Sequence, residues 1–234
     1  QSNFQSNFQS NFQSNSQQDI PNIQLLFMPG IPDEALAKRM NLETVFTKSF
    51  RSKYSGKAVT LFVTLLQPES NNGQVQLVSS NPLHPLKIDP DYLSSSHDLK
   101  VLEQAIKDVR NVVTQQTKQR KMFERRQATS KQTTVAFEDD WDNFLGSEIQ
   151  LVSSPPGGNP TAHLIRACSG SMQHFVGTCA MQTSNKRGVV DQHLKVIGMD
   201  HLRVVDASIM PKITSAGPMA SVVAIAEKAA DMIQ

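Results

Sequence analysis

The sequence predicts an α+β fold on three observations. β-branched and large apolar runs gather in the first third of the chain, apolar residues recur at helical spacing in two long stretches, and no β-α-β unit repeats. A mixed or antiparallel sheet with flanking helices satisfies all three.

Residues 1–18 read QSNFQSNFQSNFQSNSQQ, a Gln-Ser-Asn-Phe repeat without charge or helical apolar spacing. Such a tract buries too little apolar surface to offset its ordering entropy and is expected to be disordered, which leaves 19–234 as the folded domain. From Ile20, IPNIQLLFMPGIP reads as a strand closed by Pro29-Gly30. The apolar runs Val59–Gln67 and Gln74–Ser79 are joined by PESNNG, and that turn chemistry predicts an antiparallel hairpin between them. NPLHPLKIDPDYL, with three prolines, reads as an extended loop.

Ser95 and Asp98 stand at capping-box spacing, and Leu99, Leu102, Ile106, Val109 and Val113 then mark one helical face. A second helix is expected over Phe137 to Leu145, with Trp141 and Leu145 on one face, before SPPGGNP breaks the chain ahead of Ala162. His201 to Ser208 reads as a strand running into Asp-Ala-Ser, and Pro218 to Ile233 as a helix with proline in its first turn. The first half of that helix, MASVVAIA, is apolar all round and is expected to be buried on every side.

A net charge of +2 gives no footprint for nucleic acid or an anionic membrane. The basic run Lys118–Lys131 sits at the end of a helical pattern without interleaved aromatic platforms, as a solvated helix end does. Neither a membrane span nor a secretory signal is read. Two cysteines, Cys168 and Cys179, exclude a disulfide framework and leave one bridge or two thiols. His163, Cys168, His174, Cys179 and His193 fall close in sequence but lack the spacings of a zinc site, so no metal is expected, and nothing beside Cys179 activates it as a nucleophile.

Two features remain. His174 precedes a Val-Gly-Thr turn of small residues, where an imidazole can project into a cavity and serve as a base near neutral pH. The helix opening Gly217-Pro218-Met219-Ala220 leaves amides without intrahelical partners at a positive dipole end, with Gly217 permitting close approach. Each has an ordinary alternative, a structural histidine beside Phe175 and a water-capped helix start, and in isolation neither specifies a reaction.

Together these stretches resemble the C-terminal half of the glucose-methanol-choline oxidoreductases, FAD-dependent alcohol oxidases and dehydrogenases. His174 to Met181 (HFVGTCAM) is similar to the family's H-P-V-G-T-C-A-M. Gly188 to Asp191 (GVVD), Leu202 to Pro211 (LRVVDASIMP) and Ala226 to Ile233 (AEKAADMI) follow in the family's order. The resemblance covers roughly Asp19 to Gln234. It implies a small-molecule alcohol substrate whose hydroxyl proton passes to His174 while hydride passes to FAD. It further implies cofactor contacts from Asp206 and Ala207 and from Pro218 and Met219 at the flavin's pyrimidine carbonyl.

Three departures accompany it. Gly217 stands where the family usually has a second His or Asn, and Phe175 replaces the commoner proline. No G-x-G-x-x-G occurs, so the nucleotide-anchoring half is expected to be missing and the sequence reads as a fragment or truncated product. Two other readings follow: a catalytically impaired or non-redox, cyclase- or isomerase-like paralogue, and a non-enzymatic protein that self-associates through the Gln/Asn-rich tail.

Overall fold

Strand β1 (Ile23–Pro29) pairs antiparallel with β2 (Val59–Leu65), in register from Ile23 opposite Leu65 to Pro29 opposite Val59. The computed structural model describes residues 21–40, 42, 44–54, 56, 58–70, 72–128, 156–183 and 188–233. The repeat over 1–18, the helix expected at Phe137–Leu145 and the side chains of the Lys118–Lys131 run lie outside the described residues.

Between the two strands, Asp33 accepts the Leu36 amide at 2.7 Å and caps α1 (Glu34–Arg39), and α2 (Lys48–Tyr54) follows. Ala37, Met40, Leu42, Val45 and Phe46 form a buried cluster here, with Phe50, Phe62, Cys168 and Met172 packed against it. Phe46 and Phe50 meet edge to face with ring centroids 5.7 Å apart.

The hairpin expected between Val59–Gln67 and Gln74–Ser79 does not form. β2 gives its edge to β1, while β3 (Gln74–Gln76) pairs antiparallel with β4 (Lys87–Asp89), a strand inside the expected loop. The chain between β2 and β3 is captured by Asp98, whose carboxylate accepts the Glu69 amide at 2.8 Å, the Ser70 amide at 2.9 Å and the Ser70 hydroxyl. These bonds hold Glu69 and Ser70 away from a two-strand turn. They also undo the capping box: Ser95 Oγ accepts the His97 amide at 3.1 Å, but the Ser95 amide donates to Ser70 rather than to Asp98. Asp98 is 1% exposed, and burial pushes its carboxyl up, yet the bonds from Ser70 and Glu69 and the nearby His97 outweigh that and hold it below the usual carboxylate range.

Helix α3 (Ser96–Ala128) buries Leu102 and Ala105. An unforeseen α4 (Pro160–Cys168) lies against it, started by Asn159, whose side chain accepts the Thr161 and Ala162 amides with Pro160 at the first position. The Asn159 amide group donates to Glu103 at 2.8 Å and Arg110 donates to Thr161 Oγ1 at 3.1 Å, tying the two helices together.

The strand expected over His201–Ser208 is not formed either. Val204 donates to the Leu194 carbonyl at 3.1 Å, Lys195 and Arg203 make an isolated bridge, and Asp206 accepts the Ser208 amide at 2.8 Å to fold Ala207–Ile209 into a 3-10 turn. A second buried cluster of Val190, Leu194, Ile209 and Ala229 sits here, with Met181, Val196, Val204, Ile225 and Met232 packed against it.

The last helix, α5 (Met219–Ile233), begins one residue after Pro218, whose carbonyl accepts the Val222 amide at 2.9 Å. It is not buried on every side: Met219 is 79% and Val223 55% exposed. Only the stripe of Ile225, Ala229 and Met232, at helical spacing, reaches the second cluster. The architecture is thus α+β; among the described residues it has two antiparallel two-stranded sheets, with parallel pairing confined to isolated bridges at Gly30–Val59 and Met181–Val190. Among the described residues no helix is long and apolar enough to cross a membrane.

Candidate active site

Residues 174–181 lie alongside the 3-10 turn. Cys179 donates to the Ser208 carbonyl at 3.0 Å and Met181 to the Ile209 carbonyl at 2.8 Å. Gly177, at φ +91°, occupies the left-handed region that favours glycine, and a Cβ there would lie 3.5 Å from the Met210 carbonyl oxygen. A further strand of chain closes over the same segment, with Gln182 donating to Val190 at 2.8 Å and Val189 to Ala180 at 2.8 Å. Gly188 lets these backbones touch, since a Cβ on it would collide with the Gln182 amide nitrogen. Asp206 spends its carboxylate on Ser208, through both the amide and the hydroxyl, and so fixes the turn that begins at Ala207.

Gln173, at φ +62°, precedes His174, and its amide donates to Ser171 Oγ at 2.8 Å. That left-handed residue sets the direction in which the next side chain leaves the backbone, and no sequence pattern announces it. The His174 imidazole is half-buried and has no hydrogen-bond partner among the described residues. It faces Gly217: a Cβ built there would stand 3.7 Å from His174 Cε1 and 3.9 Å from Nε2. The loop carrying Gly217 is braced by Thr214 Oγ1, which donates to the Ala216 carbonyl at 2.9 Å.

Directly after Gly217 comes the start of α5, with Pro218 half-buried and Met219 exposed. The Val222 amide is the first of the helix to find an acceptor, so those of Met219, Ala220 and Ser221 remain open donors among the described residues. His174 therefore comes against Gly217, the residue that leads into Pro218 and Met219, although the histidine is far from these three in sequence. Asp206 and Ala207 sit on the turn that backs the 174–181 segment.

The other titratable candidates do not join them. Cys168 and Cys179 are both free thiols; Cys168 packs against the first cluster, where burial pushes its thiol up and keeps it protonated. His193 is exposed beside the Asp191 turn, which accepts the His193 and Lys195 amides. Among the described residues no group of three His, Cys, Asp or Glu is gathered for a metal ion.

The sequence profile of the GMC oxidoreductases matches residues 68–226. The chain is 35% identical over 164 residues to mitochondrial choline dehydrogenase of Mus musculus, covering 69% of this chain and 24% of that protein. It is 30% identical over 217 residues to alcohol dehydrogenase [acceptor] of Pseudomonas putida, covering 93% of this chain and 32% of the relative. Among solved structures, pyridoxine 4-oxidase from Mesorbium loti superposes with a TM-score of 0.57 at 27% identity, over 76% of this chain and 30% of that one. The chain thus spans about a quarter to a third of the length of the relatives it matches.

Proposed function

Because this chain belongs to the GMC oxidoreductases, a family of FAD-dependent flavoproteins, we propose that it supplies the substrate-side and flavin-facing part of an enzyme oxidising the CH–OH group of a small-molecule alcohol. One observation carries the reading. Two motif segments far apart in sequence meet, the His174 ring facing Gly217, which stands just ahead of Pro218 and the open amides of α5.

His174 is the proton acceptor. Its Nε2 edge faces the Gly217 side and carries no competing side-chain bond, so a neutral imidazole there can take the hydroxyl proton of a positioned alcohol. When bound, FAD supplies the hydride acceptor. The chain's donor set fits that cofactor: the open Met219 and Ala220 amides at a positive dipole end suit an electron-rich carbonyl, and Pro218 offers no competing N–H. Asp206 and Ala207 contribute a rigid turn for the cofactor side, pinned by the Asp206–Ser208 bonds. The exposed Met219–Val223 face of α5 is the surface against which the rest of such an enzyme would pack.

The test joins this chain to the portion of the Pseudomonas putida relative that it does not span. Bound flavin absorbance is expected; a graft that folds but stays colourless at saturating FAD contradicts the reading.

Gly217 favours a second reading, a catalytically impaired or non-redox paralogue, because glycine offers His174 no side-chain partner. The φ of Gly217 lies outside the left-handed region and its Cβ position is open, so a side chain fits without backbone strain. A gain of about 10²-fold or more in alcohol oxidation by Gly217→His supports impairment, since a positioned acid-base group contributes about 10² to 10⁴-fold. No gain in a flavin-loaded graft supports a non-redox role. Residues 1–18 and 19–234 are proposed as a disordered tail and one domain, and limited proteolysis releasing only the tail is the expected outcome.

A further inference from the structure

β3 and β4 form an arm with two unlike faces. Val75 stands opposite Ile88, while Gln74 and Gln76 stand opposite Asp89 and Lys87. Side chains alternate along a strand, so the apolar pair faces one way and the two polar pairs face the other. Leu77 and Leu86, one step beyond the paired residues, continue the apolar side. Such a face is ordinarily laid on a core, yet Val75 is 48%, Ile88 68% and Leu77 81% exposed. Burial within this chain therefore does not account for it.

The arm is nevertheless ordered by its own polar bonds. At the tip, Ser79 Oγ is hydrogen-bonded to His84 Nδ1 at 2.7 Å and accepts the Asn81 amide at 3.1 Å, and the Asn81 side chain accepts the Leu83 amide at 3.0 Å. This turn holds Leu83 outward, 89% exposed. At the base, the Asp91 carboxylate accepts the Asn72 amide at 3.1 Å. A preformed apolar surface is one that docks at a reduced ordering cost. A second copy of this chain suits it poorly. Each strand is 3 residues long, β4 carries Lys87 and Asp89, and Pro85 and Pro90 flank it, all features by which a sheet edge resists pairing with a like chain. The arm lies within residues 68–226, the span that matches the family profile, and this chain covers only about a quarter to a third of the relatives. The remainder of such a protein is the surface at hand to cover it.

We propose that the apolar face of the β3–β4 arm, with Leu83 at its tip, is a docking surface for the portion of a GMC oxidoreductase that this chain does not span. The surface rests on family membership and on the two-faced arm, and neither on His174 nor on alcohol oxidation.

The test compares the 234-residue chain with the graft onto the Pseudomonas putida relative. Introduced cysteines are labelled with maleimide and read by peptide mass mapping, which separates them from Cys168 and Cys179. Ile88→Cys, on the apolar face, should react about tenfold or more slowly in the graft than in the chain. Gln76→Cys, on the polar face, should react equally fast in both. A second variant adds no thiol: Leu83→Ser should leave the urea midpoint of the chain in place and lower that of the graft. Equal reactivity of Ile88→Cys in chain and graft, equal slowing at both positions, or an unchanged graft midpoint with Leu83→Ser overturns the proposal. So does Ile88→Cys labelling that slows in the chain alone as its concentration rises, which would assign the face to a second copy. Neither readout needs bound flavin, so a colourless graft that protects Ile88→Cys defeats the redox reading alone.

Discussion

The β1–β2 sheet with α1 and α2, set against the stretch from His174 to Ile233, shows two ways of building a rigid structure. The first is regular: seven residue pairs in register between two strands, and a cluster of Ala37, Met40, Leu42, Val45 and Phe46. The second has α5 and a 3-10 turn but no strand among its described residues, only isolated bridges, and its core is the four buried residues Val190, Leu194, Ile209 and Ala229. Yet all the candidate chemistry lies in the second. Its irregular backbone is fastened by bonds such as Cys179 to Ser208 and Val189 to Ala180, and each fastener brings sequence-distant segments within reach of one another. Regular pairing stabilises; irregular fastening is what lets His174 look at Gly217.

The sharpest break in the first region is Phe46→Ala. Phe46 is 5% exposed and stacked edge to face on Phe50, so truncation should cost about 3–5 kcal/mol in urea unfolding. The His174 NMR resonance should move little, because the first cluster reaches that segment only as far as Met172 and does not touch the His174–Gly217 contact.

Gly188→Ala breaks the second region instead. The added carbon meets backbone rather than a side chain that can rotate away, so about 1–3 kcal/mol of overpacking cost is expected. It should come with a displaced His174 signal and little change in the aromatic signals of Phe46 and Phe50.

What the sequence revealed divides along the same line. The face of α3 followed from helical spacing, β1 from an apolar run closed by Pro29-Gly30, and α5 from the proline in its first turn, because each of these cues is local. The β2–β3 hairpin failed because Asn-Asn-Gly is a local cue, whereas Asp98 captures Glu69 and Ser70 from a distant helix. The buried appearance of MASVVAIA misled because an apolar composition does not say which faces have something to pack against. α4 carried a readable start in Asn159-Pro160 that sat inside an apparent breaker. For the site, His174 and the Gly217 helix opening were visible as local features, but only the ordered motif run linked them to one reaction; the left-handed Gln173 before the histidine had no sequence cue.

The smallest predicted effect lies outside the His174–Ile233 stretch, where Asp98 ties the chain after β2 to the start of α3. Asp98 has a folded-state pKa below its unfolded value of about 3.9, so its contribution is fully present above that value and is lost as pH falls through the lower, folded one. Acid unfolding monitored with Asp98→Asn should therefore show a flatter decline below about pH 4. At neutral pH the same variant should cost about 1–2 kcal/mol, because the amide still accepts from only one of its two terminal atoms.

The central claim is that His174 is the proton acceptor of an alcohol-oxidising site, and the most direct measurement is alcohol turnover by the flavin-loaded graft carrying His174→Gln. The account predicts retained flavin and a fall in kcat of about 10² to 10⁴-fold. Retained flavin with undiminished turnover would contradict it.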